Sequence, residues 1–224
     1  MRRALRILST VLIVAGVLLL ADGAATLLWQ EPVSSLYARI QQHRLEDELA
    51  ELERSGPPPV ERRVLARLPD PERRLRFAAR AALRRLHEGD PVGRLRAPAI
   101  GLDAIVVHGT GAADLRKGPG HYPGSTLPGA RGTVAIAGHR TTYGAPFRRV
   151  DDLDAGDPIE LDVPYGRFTY RVERTRIVAP TATWVTRRVA YDRLVLTACH
   201  PLYSASERIV VFARLDRSDP SFGS

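Results

Sequence analysis

The sequence predicts an all-β domain, closed or sandwiched, preceded by an apolar N-terminal helix and a helical, arginine-rich stalk. Three observations carry that expectation. Residues 7–29 are almost wholly apolar, residues 33–87 space their apolar side chains at helical intervals, and from Gly93 onward short apolar runs alternate with Gly, Pro and Asp.

The stretch from Ile7 to Trp29 is interrupted by Asp22, and about 20 apolar residues suffice to cross a bilayer as a helix. It reads as a transmembrane anchor. Arg2, Arg3 and Arg6 come before it, so the positive-inside rule puts residues 1–6 in the cytoplasm and everything after Trp29 outside. Asp22, near the outer end, reaches the interface at reduced cost. The alternative is a signal peptide cleaved among the small residues of 21–25, for which the apolar stretch is long.

Residues 30–92 then form an extracytoplasmic stalk or linker. Leu36, Ile40, Leu45, Leu49 and Leu52 make a loose helical stripe over Val33–Arg54, which Pro57, Pro58 and Pro59 end. A second segment, Val60–His87, repeats the pattern with Val64, Leu68, Leu75, Leu83 and Leu86 among many arginines. It reads either as a solvated stalk that spaces the next domain from the membrane or as a surface for anionic lipid or wall polymer. Residues 93–217 carry the β domain. Its candidate strands are Ile100–Val107, Gly132–Ala137, Pro158–Val163, Phe168–Ile177, Arg193–Ala198 and Arg208–Leu215. Residues 218–224 read as a disordered tail.

A length of 224 residues suits one folded unit rather than two full domains beside a membrane segment. The 33 basic and 25 acidic residues leave a net charge of +8, and Lys117 is the only lysine. Charge alone does not choose among nucleic acid, anionic lipid and acidic wall polymer. An extracytoplasmic position argues against nucleic acid and ranks it last among the partners.

One cysteine, Cys199, excludes an internal disulfide. It is either a small buried hydrophobe or a reactive thiol. A reactive cysteine needs a partner that favours its thiolate and a donor for the oxyanion formed when a carbonyl is attacked. Of six histidines, His43 and His87 lie on the stalk. His200 follows the cysteine directly, and successive strand side chains point to opposite faces, so it is a poor base for its neighbour. His139 ends the apolar run that starts at Val134, where a strand gives way to a loop, and reads as either an acid/base or a hydrogen-bonded turn residue. Arg208 opens the last apolar strand: if strands 193–199 and 208–215 pair, it comes back beside Cys199 to stabilise a thiolate and an oxyanion, and otherwise it reads as one surface arginine among 32.

The segment Leu194-Val-Leu-Thr-Ala-Cys-His-Pro-Leu-Tyr-Ser-Ala-Ser-Glu-Arg resembles the sortase signature, a strand ending in cysteine with an arginine shortly after. Gly118-Pro-Gly-His-Tyr-Pro-Gly, followed by Ala137-Gly-His-Arg-Thr-Thr-Tyr-Gly-Ala-Pro-Phe, is similar to the histidine region of class E sortases, housekeeping enzymes of high-GC actinobacteria. The resemblance covers about Gly93 to Leu215. It implies a closed eight-stranded sortase-type β-barrel with short helices, and a cysteine transpeptidase. By the same resemblance Cys199 is the nucleophile, His139 the acid/base and Arg208 the oxyanion or substrate-binding residue. The implied substrates are secreted proteins with a Leu-Ala/Pro-x-Thr-Gly sorting signal, cut between Thr and Gly and passed to an amine on a cell-wall precursor. A pilin polymerase on the same scaffold, or a weakly catalytic surface-binding protein, is the alternative.

The resemblance implies no metal or organic cofactor. Tyr122 is the implied reader of the signal's second position, with Tyr143 as its alternative, and His121 belongs to the same loop. Sortases carry Thr-Leu-x-Thr-Cys where this chain has Val195-Leu-Thr-Ala198-Cys199, which puts Ala198 at a position expected to help hold substrate. Asp151, Asp152, Asp154 and Asp157 read as a polar turn rather than a calcium site.

Overall fold

The computed structural model describes residues 2–28 and 32–221. A 27-residue helix, α1, spans Arg2–Leu28. Its described apolar side chains from Ile7 to Leu20 are 52–75% exposed, with no partner face buried against the rest of the chain. Among the described residues no helix is long and apolar enough to cross a membrane. Trp29, where the expected span ends, lies outside the described residues, as does the side chain of Asp22.

Helices α2 (Pro32–Ser55), α3 (Pro59–Arg67) and α4 (Pro71–Arg85) follow. Prolines set the breaks. Each of α3 and α4 starts on one, where the missing N–H costs nothing, and the Asp70 carboxylate caps α4 by accepting from the Glu72 N–H at 2.9 Å. The expected single helix over 60–87 is therefore two.

The reading of 30–92 as a solvated stalk is corrected by the packing. Leu75, Ala78 and Ala79 of α4 and Leu65 of α3 enter the main core. Leu45 and Leu49 of α2 close on Ile105 and Val107. A helical stripe of apolar residues states that one face wants burial and not what buries it.

Eight strands close into a barrel in the order β1-β2-β3-β4-β7-β8-β6-β5. They are β1 (Pro91–Ala97), β2 (Leu102–His108), β3 (Gly120–His121), β4 (Thr133–Ala137), β5 (Pro158–Val163), β6 (Gly166–Val178), β7 (Arg193–His200) and β8 (Glu207–Pro220). Sequence reading misses β1, whose Pro, Gly and two arginines hide its alternation, and β3, two residues long. It also ends the last strand too early. The tail expected after Arg217 continues the ladder with β6, pairing Phe168 with Ser218 and Gly166 with Pro220; residues 222–224 lie outside the described residues.

Alternation sorts each strand into two faces. Val134, Ile136, Leu194, Leu196, Ala198, Ile209 and Val211 point into the barrel. Ala135, Val195, Val210 and Phe212 point outward, under a cover made by Tyr122, Val178, Ala182 and Val185. Gln42 of α2 does the work of a strand on the open side of β2. Its carboxamide accepts from Ile105 N–H at 2.7 Å and donates to Ile105 O and Lys117 O at 3.0 and 2.8 Å. Two backbone groups without a ladder partner at that point are thereby satisfied.

Candidate active site

Cys199 sits near the end of β7, half-buried. Antiparallel pairing of β7 with β8 places it directly opposite Arg208, and residues directly opposite in a sheet project on the same face. The third member comes from the other side. Strand β4 runs parallel to β7 with Ala137 beside Thr197, and the Gly138 N–H carries the ladder one bond further, to Thr197 O at 3.0 Å. Continued by two residues, that register sets His139 beside Cys199 and Arg140 beside His200. The Arg140 Nη1 contact with His200 Nδ1 at 3.3 Å agrees with that placement. His139, Cys199 and Arg208 thus form a row across three neighbouring strands, which lie about 4.8 Å apart.

The histidine loop is shaped from within. A Cβ on Gly138 would lie 2.5 Å from the Phe147 ring, so only glycine lets Phe147 pack beneath the loop. The Phe147 N–H then donates to His139 O at 2.9 Å. Tyr143, Gly144 and Ala145 take φ of 51°, 75° and 44° in succession. Two of the three are not glycine, so the tertiary contacts hold a conformation that costs about 1 kcal/mol or more per residue. One such contact comes from α2, whose Ser34 Oγ accepts from the Tyr143 N–H at 3.2 Å.

Tyr143 packs its ring against the His139 imidazole, centroids 5.4 Å apart, with the Arg116 guanidinium 5.7 Å from the tyrosine ring centre. Burial pushes the His139 imidazole below its ordinary pKa. Tyr122 stands on the outer face, its hydroxyl 3.2 Å from Thr197 Oγ1, two residues before the cysteine. Both tyrosines therefore border the row.

Ala198 does not. It is 4% exposed and belongs to the barrel interior, on the face opposite Cys199. The expectation that it contacts substrate is corrected by the strand alternation that had already set His200 aside. His121, expected in a loop, pairs in β3 instead. It is fully buried, with its Nδ1 3.1 Å from His108 Nδ1. Its Nε2 lies 3.0 Å from Thr126 O and 2.9 Å from Ser125 Oγ, and the Ser125 hydroxyl itself donates to Tyr122 O. His121 Nε2 must therefore be the donor, which leaves its Nδ1 to accept from His108 Nδ1–H. Burial holds both rings neutral, pushing His121 down to about 4 and lowering His108.

Among the described residues, no group of three or more His, Cys, Asp or Glu is placed to hold a metal ion. Asp151 pairs with Arg140, Asp152 with Arg149, and Asp157 accepts from the Asp154 N–H. Arg140 is the residue that sequence reading overlooked. Its only signal is its place after His139, which is not distinctive in a chain rich in arginine.

A thiol flanked by an imidazole and a guanidinium on one solvent-facing sheet surface is equipped for acyl transfer through a thioester. A family model described as the sortase domain matches residues 95–216. Sortase D of Bacillus subtilis is 36% identical over 130 residues, 56% of this chain and 64% of that protein. Sortase SrtE2 of Streptomyces coelicolor is 29% identical over 57% of each. The chain thus spans less than two thirds of these curated relatives. Among solved structures, sortase E from Streptomyces avermitilis superimposes with a TM-score of 0.56 at 34% identity, over 60% of this chain and 93% of that one. A Clostridium perfringens Sortase D5 transpeptidase shares the fold at 20% identity, with a TM-score of 0.62 over 79% and 99%.

Proposed function

The chain belongs to the sortase family, whose members are cysteine transpeptidases, and we propose that Cys199 cleaves a Leu-Ala/Pro-x-Thr-Gly sorting signal and passes the acyl chain to a cell-wall precursor amine. The observation that carries this reading is the row His139, Cys199, Arg208 set by two strand registers. The Cys199 thiolate attacks the threonine carbonyl carbon, and Arg208 donates to the oxyanion that forms. Protonated His139 gives its proton to the leaving glycine nitrogen as the C–N bond breaks, leaving a thioester. The incoming amine then adds to the thioester, loses a proton to His139 and expels the thiolate.

Burial of His139 favours its neutral form, so the reactive thiolate–imidazolium pair is one of two ways in which the two groups share a proton. Tyr122 and Tyr143, which border the row, are the side chains proposed to contact the signal. Helix α1 is proposed as a single-pass membrane anchor with a cytoplasmic N-terminus. Its exposed apolar surface supports this, together with Arg3 and Arg6 at its start. The client proteins would then meet the enzyme at the outer face of that membrane.

Incubation with Leu-Ala-x-Thr-Gly and Leu-Pro-x-Thr-Gly peptides, followed by mass spectrometry of the intact protein, tests the reading. A thioacyl adduct on Cys199 is expected, discharged by a wall-peptide amine more readily than by the lysine of a pilin domain. No adduct with either peptide would sink it.

A further inference from the structure

We propose that Arg140 is a positioning residue that locks His139 into register with Cys199. The inference rests on the reading of those two residues as acid/base and nucleophile. Arg140 immediately follows the histidine and His200 immediately follows the cysteine, and the side chains of the two followers meet.

The need for such a lock comes from where the sheet stops. The β4–β7 ladder ends at Ala137 and Thr197, with one more bond from the Gly138 N–H. His139 is thus already on the loop, beyond the pairing that fixes β4. A catalytic pair tolerates little misplacement, since a shift of about 1 Å is enough to cost about a hundredfold in rate.

Arg140 supplies what the ladder no longer does. It is 2% exposed, and its guanidinium reaches three groups at once. Nη1 meets His200 Nδ1 at 3.3 Å on β7. Nε and Nη2 donate to Arg148 O at 3.4 and 3.1 Å, on the return arm of the histidine loop. Nη2 also pairs with Asp151 Oδ1 at 2.5 Å, which supplies the counter-charge that burial of a cation demands. A guanidinium only donates, so His200 Nδ1 must present its lone pair, and the His200 ring is held as the Nε2–H tautomer when neutral. Both arms of the loop are thereby tied to the strand that bears the nucleophile.

A lysine at this position would keep the charge and its pairing with Asp151. It has no planar fork to span His200 and the Arg148 carbonyl together. Arginine is therefore required for the bridging and not for the charge.

The test compares wild type, Arg140→Lys and Arg140→Gln in the full chain by two readouts. The first is the rate of Cys199 alkylation by iodoacetamide across pH, which reports the thiolate shared with His139 without needing a sorting signal. The second is the kcat and KM of thioacyl formation, with Tm measured alongside. Both variants should lose about tenfold in alkylation rate at neutral pH, with profiles displaced from that of wild type. Their kcat should fall about a hundredfold while KM stays within about threefold, and Arg140→Lys should keep the wild-type Tm. Wild-type profiles and kcat in Arg140→Lys would overturn the proposal, because charge would then suffice. If wild type forms no thioacyl adduct but both variants still displace the alkylation profile, the peptidase reading fails and the positioning role stands.

Discussion

Arg208 faces Cys199 as its direct register partner across β7 and β8, and a turn of only a few residues, Pro201–Ser206, separates the two strands. The guanidinium is held by its own turn, donating from Nη1 to Ala205 O and Glu207 O, both at 2.9 Å. It is therefore held in place before substrate arrives, as the oxyanion role proposed for it requires.

Arg208→Lys keeps a cation opposite the thiol but cannot hold both turn carbonyls while presenting a second donor to the oxyanion. The expected result is a fall of about a hundredfold or more in kcat for thioacyl formation, with Tm within about 2 °C of wild type. Stopped-time mass spectrometry of the adduct measures it.

Ala198→Thr would restore the residue that sortases usually carry before the cysteine. Its side chain enters the packed barrel interior, so the added hydroxyl and methyl should destabilise the fold by about 1–3 kcal/mol. Urea unfolding checks this. A variant that is equally stable and more active would show that Ala198 faces substrate after all.

Acid should weaken the protein through His121. Its pKa is about 4 when folded, against an ordinary 6.5, so as pH falls below 6.5 the unfolded chain takes up a proton that the folded one refuses. Stability contributed by the neutral ring is complete above pH 6.5 and declines until about pH 4, by about 3 kcal/mol in all. Urea unfolding from pH 7 to pH 4 should show a flatter decline in His121→Gln than in wild type.

Gln42→Ala should cost about 2 kcal/mol or more, because it strips the partners from two backbone groups of Ile105 and from Lys117 O at once. Hydrogen exchange should speed up at Ile105. It should also speed up at Tyr143, whose N–H bonds to Ser34 at the start of the same helix.

What could be read from the residues in order was local. Short apolar runs between turn residues marked six of the eight strands, Pro57–Pro59 marked the end of the first helical segment, and pairing of the last two strands put Arg208 beside Cys199. Period 2 also implied that His200 turns away from Cys199; the same rule applied to Ala198 would have removed it from the site. The remaining features depend on contacts between distant segments. The parallel register of β4 with β7 joins residues 60 apart and brings the loop that carries His139 to the end of β7 that carries Cys199. The burial of α2 and α4 against the barrel, the buried His108–His121 pair and the Arg140 bridge likewise arise only on closure of the barrel. A side chain's chemistry and its local period travel with the chain, whereas its partner is decided by which strand edge or helix stripe has no other way to bury its apolar surface and satisfy its backbone.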